Sequence, residues 1–293
     1  MVNRYFGNYI GNREKVAFHG DIIISRVVRG SLMISAKPTE HLTGVILEGE
    51  YEDFYEMVHS IYRMTGLEED YDDVYWSVKN RLLGMCYDIR HAFQGDRNVK
   101  LVDNGADDEL MKWHSMIMPQ KNLHYSVEVL FPEALFVAFS VPELYLSSSV
   151  YYGERARNHK KKEDYPEGFV NDYADYIRDK AMLDMLSSVI LSAFAEVIGD
   201  EDFEKVISQR GKFYGYEYEH YAAQYVDKCN VEYLKTAPEK RKDKLRNIGK
   251  RLLKKPDAYR NLLSDLEISA REHDCSIHEL YDPKLEYPDD IEW

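Results

Sequence analysis

An α+β fold is what this sequence predicts: an N-terminal mixed sheet with two amphipathic helices, followed by a mainly α-helical C-terminal half with one long helix. Three observations carry that expectation. Residues 15–48 hold short apolar or β-branched runs punctuated by glycine and proline. The apolar period lengthens to three or four residues at Tyr51, and from residue 169 helical spacing continues almost to the end. With 293 residues, 44% hydrophobic and 31% charged, the chain is long enough to bury a large core and too apolar to stay disordered.

The elements follow in order. Val16-Ala17-Phe18, Ile22–Val28, Leu32-Met33-Ile34 and Val45-Ile46-Leu47 read as strands, with Gly20, Gly30, Pro38 and Gly44 between them. Phe54, Met57, Val58, Ile61 and Met64 then mark one face of a helix that opens on Glu50, Glu52 and Asp53 and stops at Gly66. A second stripe, Val74, Val78, Leu82, Met85, Ile89 and Phe93, stops at Gly95. Asn98–Val102 reads as extended chain entering the turn Asp103-Asn104-Gly105, and residues 123–130 and 134–141 flank Pro132 as an expected β-hairpin.

Past Ser147-Ser148-Ser149 comes a polar stretch with little to bury, so the expected division is an α+β domain at 1–150, a linker at 151–168 and a helical domain at 169–293. Within the last, Val170, Tyr173, Ile177, Leu183, Leu186, Ile190, Phe194 and Val197 share one side of a helix. Its 30 residues, 169–198, would reach about 45 Å and act as a strut. Further helices are expected at 201–209, 216–235, 239–254 and 257–273, with Pro238 and Pro256 near helix starts.

Charge and cysteine usage bound the setting. The 38 basic and 52 acidic residues leave a net charge of −14, which argues against a surface devoted to nucleic acid or anionic lipid. Cys86, Cys229 and Cys275 form neither a disulfide framework nor a zinc knuckle, which points to a reducing cytoplasm. The N-terminus lacks a signal-peptide pattern, and the apolar window 182–198 is too short and too polar to cross a bilayer. No membrane partner is expected.

Residues 86–114 concentrate groups that catalysis uses: Cys86, Asp88, His91, Asp96, Asp103, Asp107, Asp108 and His114, with Arg90 and Arg97 among them. Brought together, Asp88, His91 and His114 would serve a metal-dependent hydrolase as ligands or proton carriers. Salt bridging and capping account for the same residues. Cys86 sits in an apolar stripe, as a small core residue does. No phosphate-binding glycine loop, serine-nucleophile motif or HExxH is present, so no enzyme activity, cofactor or metal is expected.

Tyrosine stands out, with 24 residues in the chain and twelve of them between Tyr145 and Tyr233. Residues 211–221 place Tyr214, Tyr216, Tyr218 and Tyr221 beside Phe213, alternating with Gly and Glu. An exposed tyrosine cluster suits a protein interface, and a loop packed on its own domain is the other reading. Trp293 at the C-terminus is expected to serve as a docking anchor on the same reasoning. Residues 235–255 carry ten Lys/Arg against Glu239 and Asp243, while 257–293 carry eleven acids against Arg260, Arg271 and Lys284. The basic run has no interleaved aromatics for base stacking, so it is expected to pair with the acidic tail or to be solvated, not to bind nucleic acid directly.

Leu42-Thr43-Gly44-Val45 leading into Glu48-Gly49-Glu50-Tyr51-Glu52-Asp53 resembles the opening of an uncharacterised family of Gram-positive bacteria and their phages. Leu83-Gly84-Met85-Cys86-Tyr87-Asp88-Ile89-Arg90-His91-Ala92, Gly95-Asp96-Arg97, Leu101-Val102-Asp103-Asn104-Gly105 and Trp113-His114-Ser115 carry the likeness on, over residues 41–145. In length, acidity and its α+β half followed by long helices, the whole chain resembles the phage anti-Gabija inhibitors. That resemblance implies a non-enzymatic immune-evasion protein in the host bacterial cytoplasm. Such a protein self-associates as a homo-oligomer, wraps the Gabija defence complex and blocks its DNA recognition and cleavage. An acidic DNA mimic is a variant with the same outcome. No functional residue carries across individually.

Overall fold

The computed structural model describes residues 34–66, 73–154, 171–209 and 217–293. The expected strands at 16–18 and 22–28 lie outside them, as do residues 155–168 of the expected linker. Strands β1 (Ile34–Pro38) and β2 (Gly44–Gly49) pair antiparallel around a turn in which the Thr39 N–H donates to the Gly44 carbonyl and the Gly44 N–H to the Thr39 hydroxyl. With β3 (Asn98–Asp103) and β4 (Lys121–Leu130) they form a sheet ordered β1-β2-β4-β3, antiparallel at every described pairing. The period-two pattern sorts its two faces. Ile34, Val45, Leu47, Val127 and Val129 are buried on one face, while Lys37, Glu48, Lys100 and His124 share the other.

Helices cover the apolar face. α1 (Tyr51–Thr65) buries Phe54, Met57, Val58, Ile61 and Met64, and ends where Gly66 turns to φ 74°, its N–H donating to the Tyr62 carbonyl. α2 (Trp76–His91) buries Val78, Leu82, Met85, Cys86 and Ile89, then passes through one wider turn to Gly95 at φ 92°, a left-handed conformation that glycine adopts without strain. Both stripes and both stops agree with the sequence reading. α3 (Asp108–Trp113) bridges β3 to β4.

The expected second limb of a hairpin at 134–141 is instead helical, within α4 (Phe131–Ser148). Pro132 stands in the first turn of that helix, where it loses no hydrogen bond, and the continuous apolar run belongs to a helix buried on nearly all sides.

The long helix α5 (Tyr173–Ile198) spans 26 residues and opens on a capping box of Asp172 and Asp175. It is no free strut, because it packs against β1, α1 and α4. Then follow α6 (Asp200–Ile207), α7 (Gln224–Leu234), α8 (Pro238–Lys254) and α9 (Asp257–His273). Residues Phe131–Tyr151, which include α4, and α5 are long and apolar enough to span a bilayer by length and composition, a correction to the reading of 182–198 as too short and too polar, since α5 extends that window; about half of each such window is buried within the protein.

The expected boundary between two domains does not separate two cores. One hydrophobic cluster runs from Ile34 and Phe54 through Phe136 and Phe139 to Phe194, Leu245 and Tyr259. The chain leaves the first half at Gly153, whose N–H donates to the Asn171 carbonyl at 2.6 Å, so the ends that flank residues 155–170 lie side by side.

Candidate protein-binding surface

The sequence-predicted tyrosines divide. Tyr214 and Tyr216 lie outside the described residues, whereas Tyr218 and Tyr221 are buried, a correction to the exposed contact surface expected of them. The Phe136 ring lies 5.6 Å from Tyr218 and 4.9 Å from Tyr221, and Tyr221 lies 4.7 Å from Tyr259. These rings join α4 to α9 inside the molecule. Burial raises the Tyr221 phenol well above its ordinary range. Trp293 is half-buried on its own chain: its ring lies where a side chain on Gly44 would stand, and the Thr43 hydroxyl donates to the Glu292 carbonyl beside it.

The residues that suggested catalysis do not converge. Asp88 is bridged to Arg97 at 2.9 Å, and the His91 Nδ1 lies 3.0 Å from Asp96, both pairs at the surface. His114 follows α3, exposed, and its N–H donates to the Leu110 carbonyl. Among the described residues no three His, Cys, Asp or Glu side chains stand where they could hold a metal ion. Cys86 is fully buried, and burial pushes its thiol up to about 11, which suppresses thiolate chemistry. Of the two courses expected of the basic run, solvation holds for Lys235, Lys240, Lys242 and Lys254, which are exposed, while the ion pairs of the others run to α7 and α6 and not to the acidic tail. Arg251 and Lys244 reach Glu232 of α7 at 2.6 and 3.1 Å, and Arg246 reaches Asp202 of α6 at 2.7 Å. Arg241 is buried and donates to the His41 carbonyl and the Thr43 hydroxyl, stapling α8 to the β1–β2 turn.

What the structure does expose is the hairpin built from β3, α3 and β4. The core face of the sheet runs on past its helical cover: Leu101 pairs with Leu123 and Val99 with Tyr125, leaving Leu101 64%, Leu123 45% and Val99 44% exposed. Beyond them, Trp113 is 74% and Ile117 100% exposed, with Met116 and Met118 half-exposed beside them. This apolar tip is held in shape locally. The Asn104 side chain donates to the Pro119 carbonyl and to Asn122, both at 2.8 Å, and its backbone N–H donates to the Gln120 carbonyl. The Asp107 carboxylate accepts the Leu110 N–H and caps α3, and Gln120 donates to Asp108 at 3.1 Å. Asp107, Asp108 and Glu109 thus make the start of α3 acidic, with Lys112 in its last turn next to Trp113. At the root of the hairpin, Glu48 holds Lys100 at 2.5 Å and His124 at 3.0 Å. Burial raises the Glu48 carboxyl, but hydrogen bonds from Lys100 and His124 outweigh it and leave the group below its ordinary range. In the sequence Trp113 stands out only within the resemblance, because a short helix with one aromatic carries no periodic signal.

One family model matches residues 34–293, which take in the hairpin and the C-terminal tail alike. The chain belongs to that family, a domain of unknown function (DUF6904). No curated protein and no solved structure matches it. The DUF6904 match opens at Ile34, the first residue of β1, so every element described above lies inside the family region.

Proposed function

We propose that this protein acts by binding another protein, without chemistry of its own, and that its target is the Gabija defence complex implied by the resemblance. One observation carries the binding reading: a tryptophan and an isoleucine stand in solvent at the end of a hydrogen-bonded hairpin whose short helix opens on three acids. Large rings at a pre-shaped tip lose little entropy on binding and make strong anchors. The acidic start of α3 and the net charge of −14 suit a basic surface, such as a nuclease presents to DNA, and occupying that surface would block DNA recognition and cleavage.

The test pairs Trp113→Glu with Ile117→Asp and measures capture of the purified Gabija complex together with its DNA cleavage. Loss of two anchor side chains should weaken capture by about 30-fold or more and restore cleavage. Capture unchanged in the double variant overturns the surface, and no capture by the wild-type protein overturns the target. A steep loss of binding with salt favours the DNA-mimic variant. Replacing Asp88, His91 and His114 together by Ala should leave the effect intact; its disappearance with the fold preserved would restore the hydrolase reading.

A further inference from the structure

We infer that a second copy of this chain pairs with the outer edge of β3, antiparallel, with Leu101 on the two-fold axis. The inference rests on the strand edge alone and does not depend on the target proposed above. β3 is the last strand of the sheet, and no described strand lies along its outer side. The opposite edge differs, since α5 packs against β1. Exposed edges invite pairing with another chain unless prolines, bulges or charges blunt them. β3 has no proline, and its one cation, Lys100, is drawn across the sheet onto Glu48. Five of its six residues are exposed, so the strand stands clear on both faces.

Strand geometry then selects the register. An antiparallel pairing of one strand with its copy places the two-fold axis perpendicular to the sheet, which preserves its faces. Residues directly opposite must share a face, so their numbers share parity and the axis falls on a residue. The two registers with the longest overlap centre on Lys100 or on Leu101. The first sets lysine against lysine at close range. The second sets Leu101 against Leu101 on the apolar face and Lys100 against Val102. It also sets Asp103 of one copy opposite Val99 of the other, one same-face step from Arg97, so an acid and a base meet at each end of the pairing. The edge is therefore complementary to itself in hydrogen bonds, apolar contact and charge, and two four-stranded sheets would join as one.

The test is site-directed cross-linking of the full chain carrying Cys275→Ser, since Cys86 and Cys229 are buried. Leu101→Cys places two thiols on the axis within disulfide reach, so a thiol oxidant should give a covalent dimer. Leu123→Cys, one strand further from the axis on each side, stands about 15 Å from its mate and should give none. No covalent dimer from Leu101→Cys, or equal yield from both variants, overturns the pairing. So does a strictly monomeric wild-type chain in sedimentation equilibrium, the result expected if residues 1–33 cover this edge instead. Leu101→Arg, at a position exposed enough to spare the fold, should weaken self-association at least about tenfold with an unchanged circular dichroism spectrum. Unchanged association in that variant likewise overturns the pairing. A monomer that still captures its target ends this inference and leaves the proposed function standing, and a dimer that captures nothing does the reverse.

Discussion

Asp179 shows how one residue can tie together distant parts of the chain. It is wholly buried, yet the Ser60 hydroxyl donates to it at 2.9 Å, the Tyr152 hydroxyl at 2.9 Å, and the Arg63 guanidinium through two nitrogens at 2.7 and 2.6 Å. The carboxylate holds the Arg63 proton more firmly, and burial together with the neighbouring charge raises the Tyr152 phenol. A buried pair gains little over an apolar substitute, but removing one partner strands the other. Asp179→Ala should therefore cost about 3–5 kcal/mol, read as a lower urea midpoint at unchanged slope. A loss below about 1 kcal/mol would show that water reaches Arg63 and satisfies it. Nothing in the sequence singled out this residue, because an acid on an otherwise apolar helical face has no spacing of its own. The tyrosines failed for a related reason: a ring with a polar tip suits a core as well as an interface, and composition cannot choose between them.

Elements with a clean period were legible and those without one were not. α1 and α2 announced their stripes at three-to-four spacing and their glycine stops, because each helix has one face on the core and one in water. α4 lacked a polar face to set a period, so its apolar run read as a strand. The C-terminal segment after α9 was opaque because side-chain hydrogen bonds over long separations hold it: Gln224 donates to the Ile277 and Leu280 carbonyls, both at 2.7 Å, and the Tyr287 hydroxyl donates to the Asp227 carboxylate at 3.1 Å. His278 is the titratable part of that clasp. Its ring stacks on Trp76 at 4.6 Å, its Nδ1 lies 3.3 Å from the Ser77 hydroxyl, and burial, with His220 nearby, lowers its pKa from 6.5. The undocked tail takes up a proton before the docked one, so docking has its full strength above 6.5 and weakens as the pH falls below it. Amide exchange at residues 277–287, corrected for its intrinsic rate, should be faster at about pH 5.5 than at about pH 7.5, and His278→Gln should flatten the difference. Equal protection at both values would place the proton elsewhere.

At the scale of the molecule, a boundary drawn from composition differs from one drawn from burial. A polar stretch between an α+β half and a helical half looks like a linker because it has nothing to bury, yet a crossover between two layers of one core has the same composition. α5 decides between these readings. Its Leu183, Leu186 and Ile190 are fully buried in the same cluster as Phe54 and Met57 of α1, so neither half closes a core without the other. Tyr233 of α7, whose hydroxyl donates to the Leu42 carbonyl, and Arg241 of α8 fasten the helical half to the first β-turn from the far side. It follows that residues 1–154 or 171–293 expressed alone should show no cooperative unfolding, since each would leave an apolar face in water that it cannot cover. Co-expressed, the two pieces should copurify as one body, because the ends at Gly153 and Asn171 already lie together and the shared core needs no covalent link across them. The intact chain should lose far-ultraviolet dichroism and tryptophan fluorescence in one coincident urea transition. Two separated transitions, or a sharp transition from either piece alone, would mean that each half owns a core sufficient to fold by itself.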